Sequence, residues 1–227
     1  MGATLDYLFK TFYSMIQCNL CKPLSCNSNK MDSMIVPLSV TSKTGKKVAV
    51  LTPKEKNLIW NELNATYQIR GDLLLYTSMR IAEAHHFAKH PEYFRKENCA
   101  IFLPTVPGLG KLRCLTKQRT VTLSDKGVKA VEEFFSHKVG FAAYQNMEQA
   151  FILAAKKADF DTSFITTKML RKTGVSWHLA AYPNQQSQIS RMAGHDVNIM
   201  NKYYLADGFR KEDKKDMLEE LKGWGEI

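Results

Sequence analysis

Apolar residues along this chain recur first at a helical period, then at the two-residue period of strands, then at the helical period again. Leu5, Leu8, Phe9, Phe12 and Ile16 fall at helical spacing and predict a short amphipathic helix over residues 1–17. The period is lost over residues 18–47, where Ser, Asn, Lys and Thr dominate around Pro23, Pro37 and Gly45, so this stretch reads as a flexible arm. Thr52-Pro53-Lys54-Glu55 is a sharp helix start: Thr52 can cap, Pro53 suits the first turn and Glu55 closes a capping box. A second helix is expected to carry Leu73, Leu74, Leu75, Met79, Ile81 and Ala82, with Arg80 and Glu83 among them. Cys99–Leu103 is a short apolar strand, and Thr120–Leu123 alternates and is β-branched. The two predict a hairpin whose loop holds Pro107, Gly108 and Gly110.

Helical stripes then dominate. Ser124 or Asp125 opens one that buries Val128, Val131, Phe134 and Phe135. Met147, Ala150, Phe151, Ala154, Ala155 and Ala158 form the next. Helices around 168–181, 184–192 and 197–204 come after it, and a charged segment from Lys211 to Trp224 closes the chain. The expected division is an N-terminal helix and flexible arm over 1–48, a main domain over 49–210 and a C-terminal helical tail over 211–227. Many helical stripes against two or three short strands predict an α+β fold, mostly helical, with a small antiparallel β-sheet.

Composition narrows the partners. The chain has 227 residues, 44% of them hydrophobic, enough for a substantial core. Its formal net charge of +10 favours a polyanion through counterion release. No apolar run is long enough to span a bilayer and the N-terminus lacks a signal-peptide pattern, so no membrane partner is expected. Five cysteines, an odd number without a secretory pattern, point to a reducing, cytoplasmic setting. Cys18, Cys21 and Cys26 cluster, and the first two have zinc-like spacing. A structural zinc site usually takes four ligands, so free thiols are the preferred reading.

Candidate chemistry sits in the last third, joined by one arginine far upstream. Cleaving a phosphodiester without a metal needs fixed cations on the nonbridging oxygens, a deprotonated nucleophile and a proton for the leaving oxygen. Arginine suits the first task because its guanidinium grips two phosphate oxygens and stays charged. Arg80 and Arg171 are the candidates, with Lys168 one helical turn before Arg171. His195 follows Gly194 at a helix start, and Tyr204 lies nine residues further on. Tyrosine ionises near pH 10 and needs cationic neighbours to react as a phenolate. Singly, each of these residues is commoner in a structural role; their joint order is the signal.

That order resembles the catalytic domain of tyrosine recombinases, the phage-type integrases. Members carry an arginine in an apolar helix with a carboxylate three residues later, matched by Thr77-Ser-Met-Arg80-Ile-Ala-Glu83. A β-hairpin with a mobile lysine comes next, matched by Leu103 to Leu123. Then comes a His-x-x-Arg box, matched by Lys168-Met-Leu-Arg171-Lys-Thr173 with lysine in the histidine position. Gly194-His195 and Tyr204 match the terminal boxes. The resemblance implies a tyrosine-recombinase-like catalytic domain with its sheet beside the active site. It implies Tyr204 as nucleophile, a 3′-phosphotyrosyl intermediate, and strand rejoining without metal, ATP or other cofactor. Arg80, Lys168, Arg171 and His195 would serve the scissile phosphate, Glu83 would orient Arg80 or a neighbour, and Lys117 or alternatively Lys111 would protonate the leaving oxygen. Double-stranded DNA and further copies of the chain, in a dimeric or tetrameric synapse, are the implied partners, with no small-molecule substrate. Members usually add an N-terminal core-binding domain, for which residues 1–48 are too short.

Two other readings compete. His86-x3-His90 has metal-ligand spacing for a metal-dependent hydrolase, but Pro91 stands next in the chain and no glutamate occupies the metalloprotease position. A noncatalytic DNA-binding relative, or a DNA-relaxing one, would use the same fold. In the tail, Met217, Leu218, Leu221 and Trp224 form an apolar stripe, which either docks on a neighbouring subunit or folds back on its own domain.

Overall fold

The computed structural model describes residues 34–105, 118–141, 143–204 and 208–225. The chain divides into Met1–Met34 and Ile35–Ile227, and the strands and helices described here belong to the second unit. The helix expected over 1–17 and the Cys18, Cys21 and Cys26 cluster lie outside the described residues.

The unit opens with a hairpin in place of the flexible arm expected there. Strand β1 (Leu38–Thr41) pairs antiparallel with β2 (Lys47–Val50), in register Leu38↔Val50 to Thr41↔Lys47. Val40, Val48, Ala49 and Val50 are buried, so the folded domain begins near Ile35 and not at residue 49. The alternation in these strands spans only four residues each, and the surrounding Ser, Thr and Lys hide it in a composition reading.

Helix α1 (Pro53–Asn61) starts at the predicted capping box. Glu55 N–H donates to Thr52 Oγ1 at 3.2 Å, and the Glu55 carboxylate accepts the Thr52 N–H at 2.7 Å. The next predicted helix is instead two. Helix α2 (Ala65–Thr77) ends at Ser78, which is left-handed at φ 50°, and α3 (Ile81–Phe87) begins after an extended Arg80. Thr77 Oγ1 donates back to the Leu73 carbonyl at 2.5 Å and accepts the Met79 N–H at 3.3 Å. Such local bonds offer the backbone an alternative to continuing the helix. The apolar period runs across the break because Leu75, Met79 and Ala84 all enter one core.

Strands β3 (Phe94–Arg95), β4 (Ala100–Leu103) and β5 (Arg119–Thr122) form an antiparallel sheet in that order. The predicted hairpin is present, with Ile101↔Val121 and Leu103↔Arg119 as partners, and β3 adds to its edge. Helix α4 (Asp125–Ser136) is capped by Ser124, and α5 (Tyr144–Lys157) buries Met147, Phe151, Ala154 and Ala155 as its stripe predicts.

Helix α6 (Lys168–Ala181) is the axis of the domain, buried on every side from Met169 to Leu179. It packs on β2, on α2 and on the last helix. Leu51 N–H donates to Thr173 Oγ1 at 3.1 Å, and Trp177 Nε1 donates to the Leu51 carbonyl at 2.7 Å. Gly174 permits the crossing with α2: a β-carbon there would stand 2.6 Å from Ser78 Oγ and closer still to the Leu75 carbonyl. Helices α7 (Gln186–Ala193), α8 (Val197–Tyr204) and α9 (Lys211–Glu220) complete the unit.

The apolar stripe of the tail is filled by its own domain. Met217, Leu221 and Trp224 are buried, while Leu218 remains exposed. Trp224 packs on the His178 ring at 4.8 Å and donates from Nε1 to the Thr122 carbonyl at 3.2 Å. Glu220 accepts from Tyr76 Oη at 2.5 Å and pairs with Lys126 at 2.8 Å. The fold is mostly helical with small antiparallel sheets. Among the described residues no helix is long and apolar enough to cross a membrane.

Candidate active site

Glu83 is the centre around which the cations are arranged. It lies at the third residue of α3, fully buried. Its Oε2 accepts the Arg80 backbone N–H at 2.6 Å and Arg119 Nη2 at 2.7 Å, while Oε1 accepts Arg80 Nη1 at 3.1 Å. Arg171 Nη1 stands 3.7 Å from Oε2. One carboxylate thus faces three arginines, drawn from the cap of α3, from β5 and from α6, leaving an excess of positive charge. The break between α2 and α3 makes this possible, because it puts Arg80 at the cap and its guanidinium, about a third exposed, on the rim of a cleft.

Arg171 is held from several directions. Nη1 donates to the Ser78 carbonyl at 2.5 Å, and Nη2 donates to the Ala193 carbonyl and to His195 Nε2, the latter at 2.8 Å. Both carbonyls terminate helices, so the ends of α2 and α7 fix the guanidinium. Arg119 Nη1 also donates to the Ala193 carbonyl, at 3.3 Å. Gly194 ends α7 at φ +63°, and a β-carbon there would fall 2.6 Å from Arg119 Nη1, so glycine is needed for both the turn and the arginine.

His195 follows that turn, and its Nε2 is 2.7 Å from Tyr204 Oη. A guanidinium only donates, so the Arg171 contact requires a lone pair on Nε2 and the proton on Nδ1. Tyr204 Oη then donates to Nε2, with Arg171 Nε 3.5 Å away on its other side. Burial holds His195 down to about pKa 3, and Arg171, Arg80, Arg119 and Lys172 push in the same direction. The imidazole is therefore neutral at physiological pH, and its Nε2 lone pair is free to accept the phenol hydrogen bond.

Tyr204 ends α8 and lines a cleft of about 380 Å³ with Arg80, Lys168, Arg171 and Lys172. Met79, Ile81 and Tyr144 add apolar surface to its wall. Lys168, the first residue of α6, is exposed at the rim, one turn before Arg171. Arg80, Glu83, Lys168, Arg171, His195 and Tyr204, six residues expected from sequence, converge on this region. Lys111 and Lys117 lie outside the described residues.

Two further cations join the site without a signal in the sequence pattern. Arg119 sits in the alternation of β5, inward-facing and buried, where the pattern calls for an apolar residue. Burial lowers its pKa to about 10, against the pull of Glu83. Lys172 lies within the Lys168–Thr173 motif, whose spacing gives it no role of its own. Its ammonium stands 3.8 Å from the centre of the Tyr204 ring.

The histidines of the metal reading are arranged differently. His86 and His90 have ring centres 4.4 Å apart, His90 stacks on Tyr93, and its Nδ1 is bonded to Glu92 at 2.8 Å. Among the described residues no group of three or more His, Cys, Asp or Glu side chains is arranged to hold a metal ion.

No protein-family model matches the sequence. A comparison with curated proteins also finds no match. Solved structures do resemble it. XerA recombinase superposes with a TM-score of 0.55 at 16% identity, over 76% of this chain and 64% of that one. The Tn1549 transposon integrase in complex with circular intermediate DNA gives 0.53 at 15% identity, over 76% of this chain and 67% of that one. A variant of that integrase with transposon right end DNA gives 0.54 at 14% identity, covering 76% and 66%. The chain spans less than two thirds of the XerA recombinase and about two thirds of the integrase. At these identities the likeness is one of fold, and the fold is that of tyrosine recombinase catalytic domains.

Proposed function

We propose that this protein is a site-specific DNA recombinase or integrase that cuts and rejoins strands through Tyr204. The observation that carries the reading is the convergence of a phenol, a neutral imidazole and a guanidinium within hydrogen-bond reach, beside two further arginines on one buried carboxylate. A site with excess fixed positive charge and a poised phenol suits attack on a phosphodiester. Arg80 and Arg171 grip the nonbridging oxygens of the scissile phosphate, and Lys168 adds charge at the cleft rim. Glu83 holds the two arginines in place, and Arg119 in turn fixes the Glu83 carboxylate. Tyr204 Oη attacks phosphorus and its proton passes to His195 Nε2. The bond from phosphorus to the 5′-oxygen breaks, and that oxygen takes a proton from the hairpin lysine, Lys117 or alternatively Lys111. A 3′-phosphotyrosyl linkage and a free 5′-hydroxyl result. A 5′-hydroxyl from a partner strand reverses the step, so the energy of the phosphodiester is kept and neither metal nor ATP is consumed. Double-stranded DNA inside the cell is the substrate, and strand exchange between duplexes engages further copies of the chain.

The test is incubation with nicked or suicide duplex DNA, followed by denaturing electrophoresis. A covalent protein–DNA band in the wild type, absent from Tyr204→Phe and kept in Tyr203→Phe, is expected. Tight DNA binding with no covalent band from the wild type would instead identify a noncatalytic DNA-binding relative.

A further inference from the structure

Lys172 is a buried cation without a counter-ion. It is 6% exposed, and among the described residues no carboxylate pairs with it. An ammonium in that position costs stability unless its protons are taken up. Its Nζ donates to the Tyr203 carbonyl at the end of α8, lies 3.8 Å from the Tyr204 ring centre and 5.8 Å from that of Tyr203. One turn further along α6, Ser176 Oγ donates to the Tyr204 carbonyl at 2.5 Å. The last carbonyls of a helix have no partner within it, and a cation there is favoured by the helix dipole. Two side chains of α6 therefore satisfy the end of the helix that carries Tyr204, and one of them brings a charge to the face of its ring.

We propose that Lys172 is a positioning residue for the nucleophile: it holds the Tyr203–Tyr204 turn over the cleft and sets a positive charge against the Tyr204 ring that steadies the phenol as it loses its proton. This rests on the reading of Tyr204 as nucleophile. Lys172 neither gives nor takes a proton. The phenol proton goes to His195, the new bond forms between Tyr204 Oη and phosphorus, and the 5′-oxygen leaves with a proton from the hairpin. A cation against the face of an aromatic ring in a desolvated site attracts its π-electrons, and it attracts them more strongly once the oxygen is negative.

The groups that face Lys172 define how its charge varies with pH. Arg171 and Lys168 act from its own helix, Tyr203 and Tyr204 from α8, and His195 from the turn before α8. Lys202 lies on the Tyr203 ring at 5.5 Å. Burial, then Arg171 and Lys168, lowers Lys172 to about 8. The stabilising charge is therefore present below that pH and fades above it.

The experiment measures single-turnover formation of the covalent adduct on the suicide duplex between about pH 6 and 10 for wild type, Lys172→Met and Lys172→Arg. Gel-shift binding and thermal melting are recorded alongside. Lys172→Met keeps the stem and loses the charge. It should form adduct roughly 30-fold more slowly, the equivalent of a desolvated cation–π contact of about 2 kcal/mol, with DNA affinity within about twofold of wild type. The wild-type rate should decline on the alkaline side as Lys172 loses its charge. In Lys172→Arg, whose charge persists, that decline should move upward by at least about one pH unit. A merely structural lysine would shift melting and leave the alkaline limb in place. Wild-type adduct with an unchanged rate in Lys172→Met, or an unmoved limb in Lys172→Arg, overturns the role of Lys172 alone. Absence of adduct from wild type overturns it together with the reading of Tyr204.

Discussion

Neutralising Glu83 should do more damage than removing any one of the arginines around it. The carboxylate is fully buried and every neighbour of its oxygens is a donor: the Arg80 N–H at 2.6 Å, Arg80 Nη1 at 3.1 Å and Arg119 Nη2 at 2.7 Å. In Glu83→Gln the side-chain amide must turn one N–H₂ edge towards one of those donors, and the local charge balance rises by one. Arg119 is nearly as buried as Glu83 and cannot relax into water. Breaking a buried pair by removing one partner costs about 3–5 kcal/mol. In a domain of this size each kcal/mol lowers Tm by about 2–4 °C. The expected fall is therefore about 6–20 °C, read by circular dichroism melting and checked by urea unfolding at constant m. Glu83→Ala should be no worse than Glu83→Gln, because water can enter the vacated space where a mispointed amide cannot yield. A Glu83→Gln protein that melts within about 2 °C of wild type would refute this, since Glu83 would then not be the counter-charge that holds the arginines.

Other outcomes come from the same contacts. His178 is buried against Trp224, and burial lowers it from 6.5 to about 4. The unfolded chain takes up that proton first, so stability present above pH 6.5 is lost as pH falls towards 4, by about 3 kcal/mol, and His178→Gln should flatten that part of a urea stability–pH curve. Gly174→Ala places a methyl 2.6 Å from Ser78 Oγ and against the Leu75 carbonyl; overpacking of about 1–3 kcal/mol or more is expected in urea unfolding, together with slower cleavage because Arg171 shares that crossing. Arg80→Ala should slow adduct formation by roughly 10²–10³ while leaving the fold intact, since its side chain is partly exposed; adduct formation near the wild-type rate would remove Arg80 from the phosphate site. A substrate with sulfur at the bridging 5′ position needs little protonation, so it should rescue Lys117→Ala; rescue of Lys111→Ala alone would move the proton donor there.

The residues of the site are more legible in the sequence than the backbone that presents them. Arg171, His195 and Tyr204 sit in short local intervals, and a helix or a single turn preserves such intervals in space. The pairing of Arg80 with Glu83 is readable too, but on an uninterrupted helix. The left-handed Ser78 has no glycine or proline beside it to announce the break. The signal is Thr77, whose hydroxyl bonds backward and forward at once, and its partners are visible only in three dimensions. Arg119 and Lys172 escape a sequence reading for a related reason. An inward arginine on a strand and a lysine buried in an all-round core helix read as errors in an apolar pattern until the carboxylate or ring they meet is known. The β1–β2 hairpin is hidden because each of its strands contributes only four residues to a polar stretch.

The same contrast explains why the tail can be read two ways. Its stripe of Met217, Leu221 and Trp224 has the period of a helix that must cover something, and period alone does not say what. What decides it here is polar: Glu220 meets Tyr76 and Lys126, and Trp224 Nε1 meets the Thr122 carbonyl. These bonds join α9 and the turn after it to α2, α4 and β5, the strand that also carries Arg119. The tail therefore braces one of the three arginine-bearing elements from behind. Trp224 thereby helps to fix the geometry of Glu83 and its cations, through Thr122, three residues along β5 from Arg119.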